Sequence, residues 1–97
     1  LSKQEFLHFY NIASLLKNYN CLTEARDTFK RLLEIIGKKN VVLRGKILFH
    51  LGEISLRLKN KKMAFKYLKE SVKAYPKHIK AQEYLKDLLC CQPGSSY

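Results

Sequence analysis

Proline and glycine are scarce in this chain, with two of the first and four of the second among 97 residues. None falls in the interior of residues 2–36, so nothing there forces a helix to stop. Cysteine is scarce too. Three residues, Cys21 and the adjacent Cys90 and Cys91, cannot all pair within one chain, and no Cys-x-x-Cys motif occurs. Together with His8, His50 and His78 they fit no zinc spacing, so no metal site is expected. A reduced setting inside the cell, cytoplasmic or nuclear, is the expectation. No Asn-x-Ser/Thr site, glycine-rich phosphate loop or signal peptide is present, and no apolar run nears the ~20 residues that span a bilayer. The chain opens at Leu1 without Met, as an excised fragment would. None of the histidines has an acidic partner at a recognisable spacing, so no catalytic residue and no cofactor is expected.

Acidic residues are the other shortage. Eight Asp and Glu stand against nineteen Lys and Arg, a net charge of +11. Residues 1–37 hold five basic and four acidic side chains, whereas residues 38–97 hold fourteen and four, a net of +10 on one part of the chain. Such a field favours an acidic partner: nucleic acid, an anionic lipid surface or an acidic peptide. It also fits a merely solvated face. The apolar fraction of 46%, with six Tyr and five Phe, suffices for one small core.

What is present is helical periodicity. Phe6, Phe9, Ile12, Ala13, Leu16 and Tyr19 recur at spacings of three and four and predict one buried stripe. Asn18 to Cys21 reads as a turn. Thr23 is placed to cap a second helix that buries Ala25, Phe29, Leu32, Leu33 and Ile36 and stops at Gly37. A third helix is expected over Val41–Leu58, with Leu43, Ile47, Leu48, Leu51, Ile54, Ser55 and Leu58 inward. A fourth, Lys61–Tyr75, buries Ala64, Phe65, Leu68, Val72 and Tyr75 and is closed by Pro76. A fifth covers about His78 to Leu89, before a tail over residues 92–97 that reads as flexible.

The first two helices resemble the next two at an offset of 39 residues. Phe9 aligns with Leu48, Tyr10 with Phe49, Ile12 with Leu51, Ala13 with Gly52, Ala25 with Ala64, Phe29 with Leu68 and Leu32 with Ser71. One hairpin has been copied and stacked, because neither copy can bury its apolar face alone. The second copy, Leu48-x2-Leu51-Gly52-x2-Ser55, then Ala64-x3-Leu68, then Pro76, resembles the tetratricopeptide repeat. The first copy resembles it more loosely, through Phe9, Ile12, Ala13, Leu16, Ala25 and Phe29, with Gly37 near the proline site. The implied fold is all-α, antiparallel hairpins stacked as a short right-handed superhelical repeat. Repeats would span about residues 6–39 and 45–78, with a capping helix over about 78–90, inside one domain of residues 1–91. Two repeats are fewer than the ~3 that usually stand alone, so the chain is expected to be capped by its last helix or to belong to a longer array or oligomer.

The resemblance further implies a non-enzymatic adaptor or scaffold that holds a partner peptide or helix in a concave groove lined by the first helix of each hairpin. Carried over by register, that groove displays Leu7, Tyr10, Asn11, Ser14, Lys46, Phe49, His50, Glu53, Arg57, Lys80 and Tyr84. Tyr10 and Phe49 are expected off the core stripe, either as anchors for a peptide or as packing between hairpins. Chaperone-binding members of the family grip a C-terminal carboxylate with basic groups. Of that pattern only Asn11 and Lys80 are present, so a carboxylate clamp is not expected. On the fourth helix Lys62, Lys66, Lys69, Lys73 and Lys77 share one stripe, on the convex side in this family. The stripe is either solvated or the working surface of a nucleic-acid-binding helical repeat, the alternative function.

Overall fold

The structure, a computed structural model, describes residues 2–90, and these form five α-helices with no strand among the described residues. They are α1 (Lys3–Asn18), α2 (Leu22–Ile36), α3 (Val41–Arg57), α4 (Lys61–Ala74) and α5 (Ile79–Cys90). Each packs on the next in chain order, so α2 and α4 lie on either side of α3. The expected tail at 92–97 and Cys91 lie outside the described residues.

The helix ends follow from local chemistry. Ser2 and Glu5 form a reciprocal capping box at α1, with backbone–side-chain bonds of 3.1 and 3.2 Å. Asn40 and Asn60 cap α3 and α4 by accepting from Leu43 N and Met63 N. Thr23 does not cap α2. That helix begins two residues earlier, after Cys21, whose side chain makes no capping bond. Asn20, at φ +66°, makes the turn before it, in the left-handed region that asparagine tolerates. Gly37 ends α2 at φ +58°, ψ −133°, a backbone state that is costly for any side chain. The fifth helix starts at Ile79, with the Ala81 amide donating to His78 Nδ1 at 3.3 Å.

One core joins the first three helices: Phe6, Ala13, Ala25, Phe29, Leu32, Ile47, Leu51 and Ile54. A second joins α3, α4 and α5 through Phe49, Leu68 and Ala81, with Val72, Tyr84, Leu85 and Leu88 packed against it. The α3–α4 contact is close because Gly45 and Gly52 have no side chain. A Cβ on Gly45 would lie 2.6 Å from Tyr75 Cβ, and one on Gly52 would lie 2.7 Å from Leu68 Cγ. Beside this contact the buried Ser71 hydroxyl donates to the Gly45 carbonyl at 2.6 Å.

The inward stripes need four corrections. Phe9, 41% exposed, and Tyr19, 78% exposed, lie outside the α1 core face, which runs instead through Phe6, Tyr10, Ala13 and Lys17. The face is turned because Lys17 rather than Leu16 takes the fully inward position, held there by partners on α3. Leu58 is exposed, since it sits one residue past the end of α3. Phe49 is 6% exposed and so belongs to the second core, not to the surface.

Candidate interaction face

A chain of polar bonds joins α1 and α3. Lys17 Nζ lies 2.8 Å from Glu53 Oε1 and 2.9 Å from His50 Nδ1, and His50 Nε2 lies 2.8 Å from Tyr10 Oη. An ammonium group can only donate, so His50 Nδ1 accepts from Lys17. The imidazole is then neutral, with its proton on Nε2, and donates to the Tyr10 oxygen. The Tyr10 hydroxyl keeps its own proton for another acceptor.

Burial is what makes this chain of bonds necessary. Lys17 is 7% exposed and His50 is stacked on the buried Phe29, with ring centres 4.8 Å apart. A charge in that position needs a counter-charge. Burial pushes His50 below its ordinary pKa, and the Lys17 and Lys46 charges add to that, while Glu53 opposes it. Glu53 shows the reverse balance. Burial alone would raise its pKa, but the hydrogen bond from Lys17 at 2.8 Å and the Lys17 charge outweigh it and hold the carboxyl at about 2.

Of the residues the sequence assigned to the groove, Tyr10, His50 and Glu53 are brought together in this chain of bonds. Arg57 donates from Nη1 to the Lys17 carbonyl at 3.0 Å, satisfying an end carbonyl of α1. Phe49 lies beneath the surface, with Tyr84 edge-on at 5.1 Å and His78 at 4.7 Å. Leu7, Asn11, Lys46 and Lys80 are exposed and Ser14 is half-buried. Lys17 was missed because its charge marks it as a surface residue. Its spacing was the available signal, since it lies four residues from Ala13 and eleven from Phe6, on the buried stripe.

On α4, Lys62, Lys66, Lys69 and Lys73 are exposed; Lys77, also exposed, lies past the end of that helix at Ala74 and so is not part of the expected stripe. Among the described residues none of the five lies within ion-pair distance of a carboxylate. Lys69 Nζ lies 5.9 Å from the centre of the Phe65 ring. Among the described residues no three His, Cys, Asp or Glu side chains gather as metal ligands would, and no helix is long and apolar enough to cross a membrane.

Residues 45–78, which span most of α3 and all of α4 and end beyond Pro76, match the family model of the tetratricopeptide repeat. No curated protein and no solved structure matches the chain. Over that stretch the all-helical chain resembles a tetratricopeptide repeat.

Proposed function

We propose that this tetratricopeptide-like chain is a non-enzymatic interaction module that holds a peptide or helix of another protein along the face of α1, α3 and α5. Repeats of this family are protein-interaction modules in general, which supplies the class. The observation that carries the finer reading is the chain of bonds from Tyr10 through His50 to Lys17 and Glu53. It fixes a half-buried tyrosine hydroxyl with an unspent proton, the donor a peptide carbonyl requires. On the same helices Asn11, Lys46 and Lys80 are exposed and Tyr84 is half-buried. The basic side chains favour an acidic partner.

The test is capture from cell extract on the immobilised chain, with and without nuclease, comparing wild type with a Lys46→Glu/Lys80→Glu variant. Both lysines are exposed, so folding should survive, and far-UV circular dichroism checks that it does. A protein partner retained after nuclease and lost by the variant is the expected result. A partner retained equally by both forms would remove this face from the interaction.

The exposed lysines Lys62, Lys66, Lys69 and Lys73 of α4, with Lys77 beyond its end, favour a second reading, a nucleic-acid-binding helical repeat. Five phosphate contacts imply a log–log salt slope of about −4.5 on duplex DNA, independent of sequence. Titration of a fluorescent random oligonucleotide at ~50 and ~200 mM salt decides it, and affinity no tighter than millimolar at the lower salt removes this reading.

A further inference from the structure

A cavity of about 440 Å³ opens between the start of α3 and the end of α4. Its walls are Val41, Arg44 and Leu48 of α3, Glu70, Lys73 and Ala74 of α4, and Lys38 of the preceding loop. At 100° per residue, Val41, Arg44 and Leu48 fall on the side of α3 opposite Lys46, His50, Glu53 and Arg57. The cavity is therefore separate from the face discussed above.

Its chemistry is specific. Val41, Leu48 and Ala74 make an apolar floor, and three cations stand around a single carboxylate, a net of +2. None of these cations lies within 4.0 Å of Glu70, so their charge is not consumed internally. Arg44 is already held, since its Nη1 donates to the Gly37 carbonyl at 2.8 Å, and the remaining guanidinium donors have no acceptor among the described residues. Holding the side chain beforehand lowers the cost of ordering it when a ligand arrives. No aromatic ring lines the cavity, so a nucleobase would find no stacking surface. An aliphatic side chain fits the floor, and carboxylates on either side of it fit Lys38, Arg44 and Lys73.

We propose that this cavity is a second docking site, for an acidic segment of a protein partner that inserts one aliphatic side chain and pairs its flanking carboxylates with Lys38, Arg44 and Lys73. The volume admits one or two side chains, which limits the contact to a short segment.

The probe is a fluorescein-labelled peptide with a Glu-Leu-Asp centre in a Gly-Ser frame, titrated by anisotropy onto the whole chain at ~50 mM salt. The matched control carries Gln-Leu-Asn. Two variants remove equal charge from exposed positions: Lys38→Gln/Lys73→Gln at the cavity and Lys62→Gln/Lys66→Gln elsewhere on the chain. The acidic peptide is expected to bind ~10-fold more tightly than its amide control and to lose ~10-fold on the cavity variant, with less than ~2-fold lost on the other. Equal losses on both variants would mean a diffuse field without a site, and overturn the proposal. So would affinity no tighter than millimolar, an amide control that binds as well, or a random RNA oligonucleotide that binds more tightly and is indifferent to the cavity variant. Neither variant touches Tyr10, Lys46 or His50, so failure here leaves the α1, α3 and α5 face untouched.

Discussion

At Lys17 an ammonium group lies within 3 Å of both Glu53 and His50. Replacing Lys17 by Met keeps the apolar stem but leaves Glu53 half-buried without its cation. The expected cost is about 1–3 kcal/mol in urea unfolding, since one partner of a hydrogen-bonded pair is lost and the other stays. The Glu53 carboxyl should rise from about 2 towards or above its ordinary value, measurable by carboxyl carbon NMR. A Lys17→Met variant as stable as wild type would mean that Lys17 does not sit between these groups.

The same residues set a pH dependence. Glu53 is depressed from 4.5 to about 2, so its contribution is complete above pH 4.5 and is lost as pH falls through that interval. His50 is depressed from 6.5 by burial first, so acidification below 6.5 charges the unfolded chain before the folded one and lowers stability. The groups around it all bear on the size of the effect: Lys17 and Tyr10 from α1, Lys46 and Glu53 on α3, and His78 before α5, itself depressed chiefly by burial. Stability is therefore expected to drop from pH 7 to 5. A His50 midpoint at or above 6.5 by NMR titration would contradict the neutral ring that the Lys17 bond requires.

Among the elements, the α3–α4 hairpin depends most on backbone approach. Glycine to alanine inside an exposed helix usually gains about 1 kcal/mol in propensity. At Gly45 the added methyl would meet Tyr75 Cβ at 2.6 Å, and relieving that costs about 1–3 kcal/mol, so Gly45→Ala is expected to destabilise on balance. Gly37→Ala is expected to destabilise for a different reason. Nothing lies within 4 Å of its Cβ, but φ +58° with ψ −133° is strained for alanine, at about 1–3 kcal/mol. A rise in melting temperature for Gly45→Ala would show that the helices are farther apart than described. Phe49→Ala is expected to cost about 3–5 kcal/mol, as for a core phenylalanine, because α5 packs over that ring.

Five helices were legible in the sequence because apolar spacing agreed with the stops at Gly37 and Pro76, while the caps at Asn40 and Asn60 were seen only in the structure. The copied small residues Ala13, Gly52, Ala25 and Ala64 are all buried, which is why the 39-residue offset was visible at all. What was not legible was rotation. The wheel of α1 offers Phe9 and Tyr19 as plausible core residues, and only the partners on α3 reveal that Lys17 is turned inward. Tyr10 and Phe49 align across the repeat, yet Tyr10 keeps a hydroxyl at the surface while Phe49 is covered by α5, a difference no alignment of the two copies contains. The cavity at Lys38, Arg44 and Lys73 was hidden because its residues come from two helices and a loop.

For the whole molecule, the lysines of α4 and the proposed interaction face do not coincide. Lys62, Lys66, Lys69 and Lys73 lie on α4 away from its buried residues Ala64, Leu68 and Ser71, whereas Lys46 and Lys80 belong to α3 and α5. A protein partner on the α1, α3 and α5 face should be insensitive to moderate salt compared with a nucleic acid held by five lysines, because most of its contacts carry no counterion to release. Lysine acetylation followed by mass spectrometry reads both surfaces in one experiment, free and bound to the protein partner retained after nuclease. Protection of Lys46 and Lys80 by at least several-fold, with Lys62, Lys66 and Lys69 as reactive as in the free chain, is the expected result. Protection of Lys62, Lys66 and Lys69 with Lys46 and Lys80 unchanged would contradict the assignment of the α1, α3 and α5 face as the working surface.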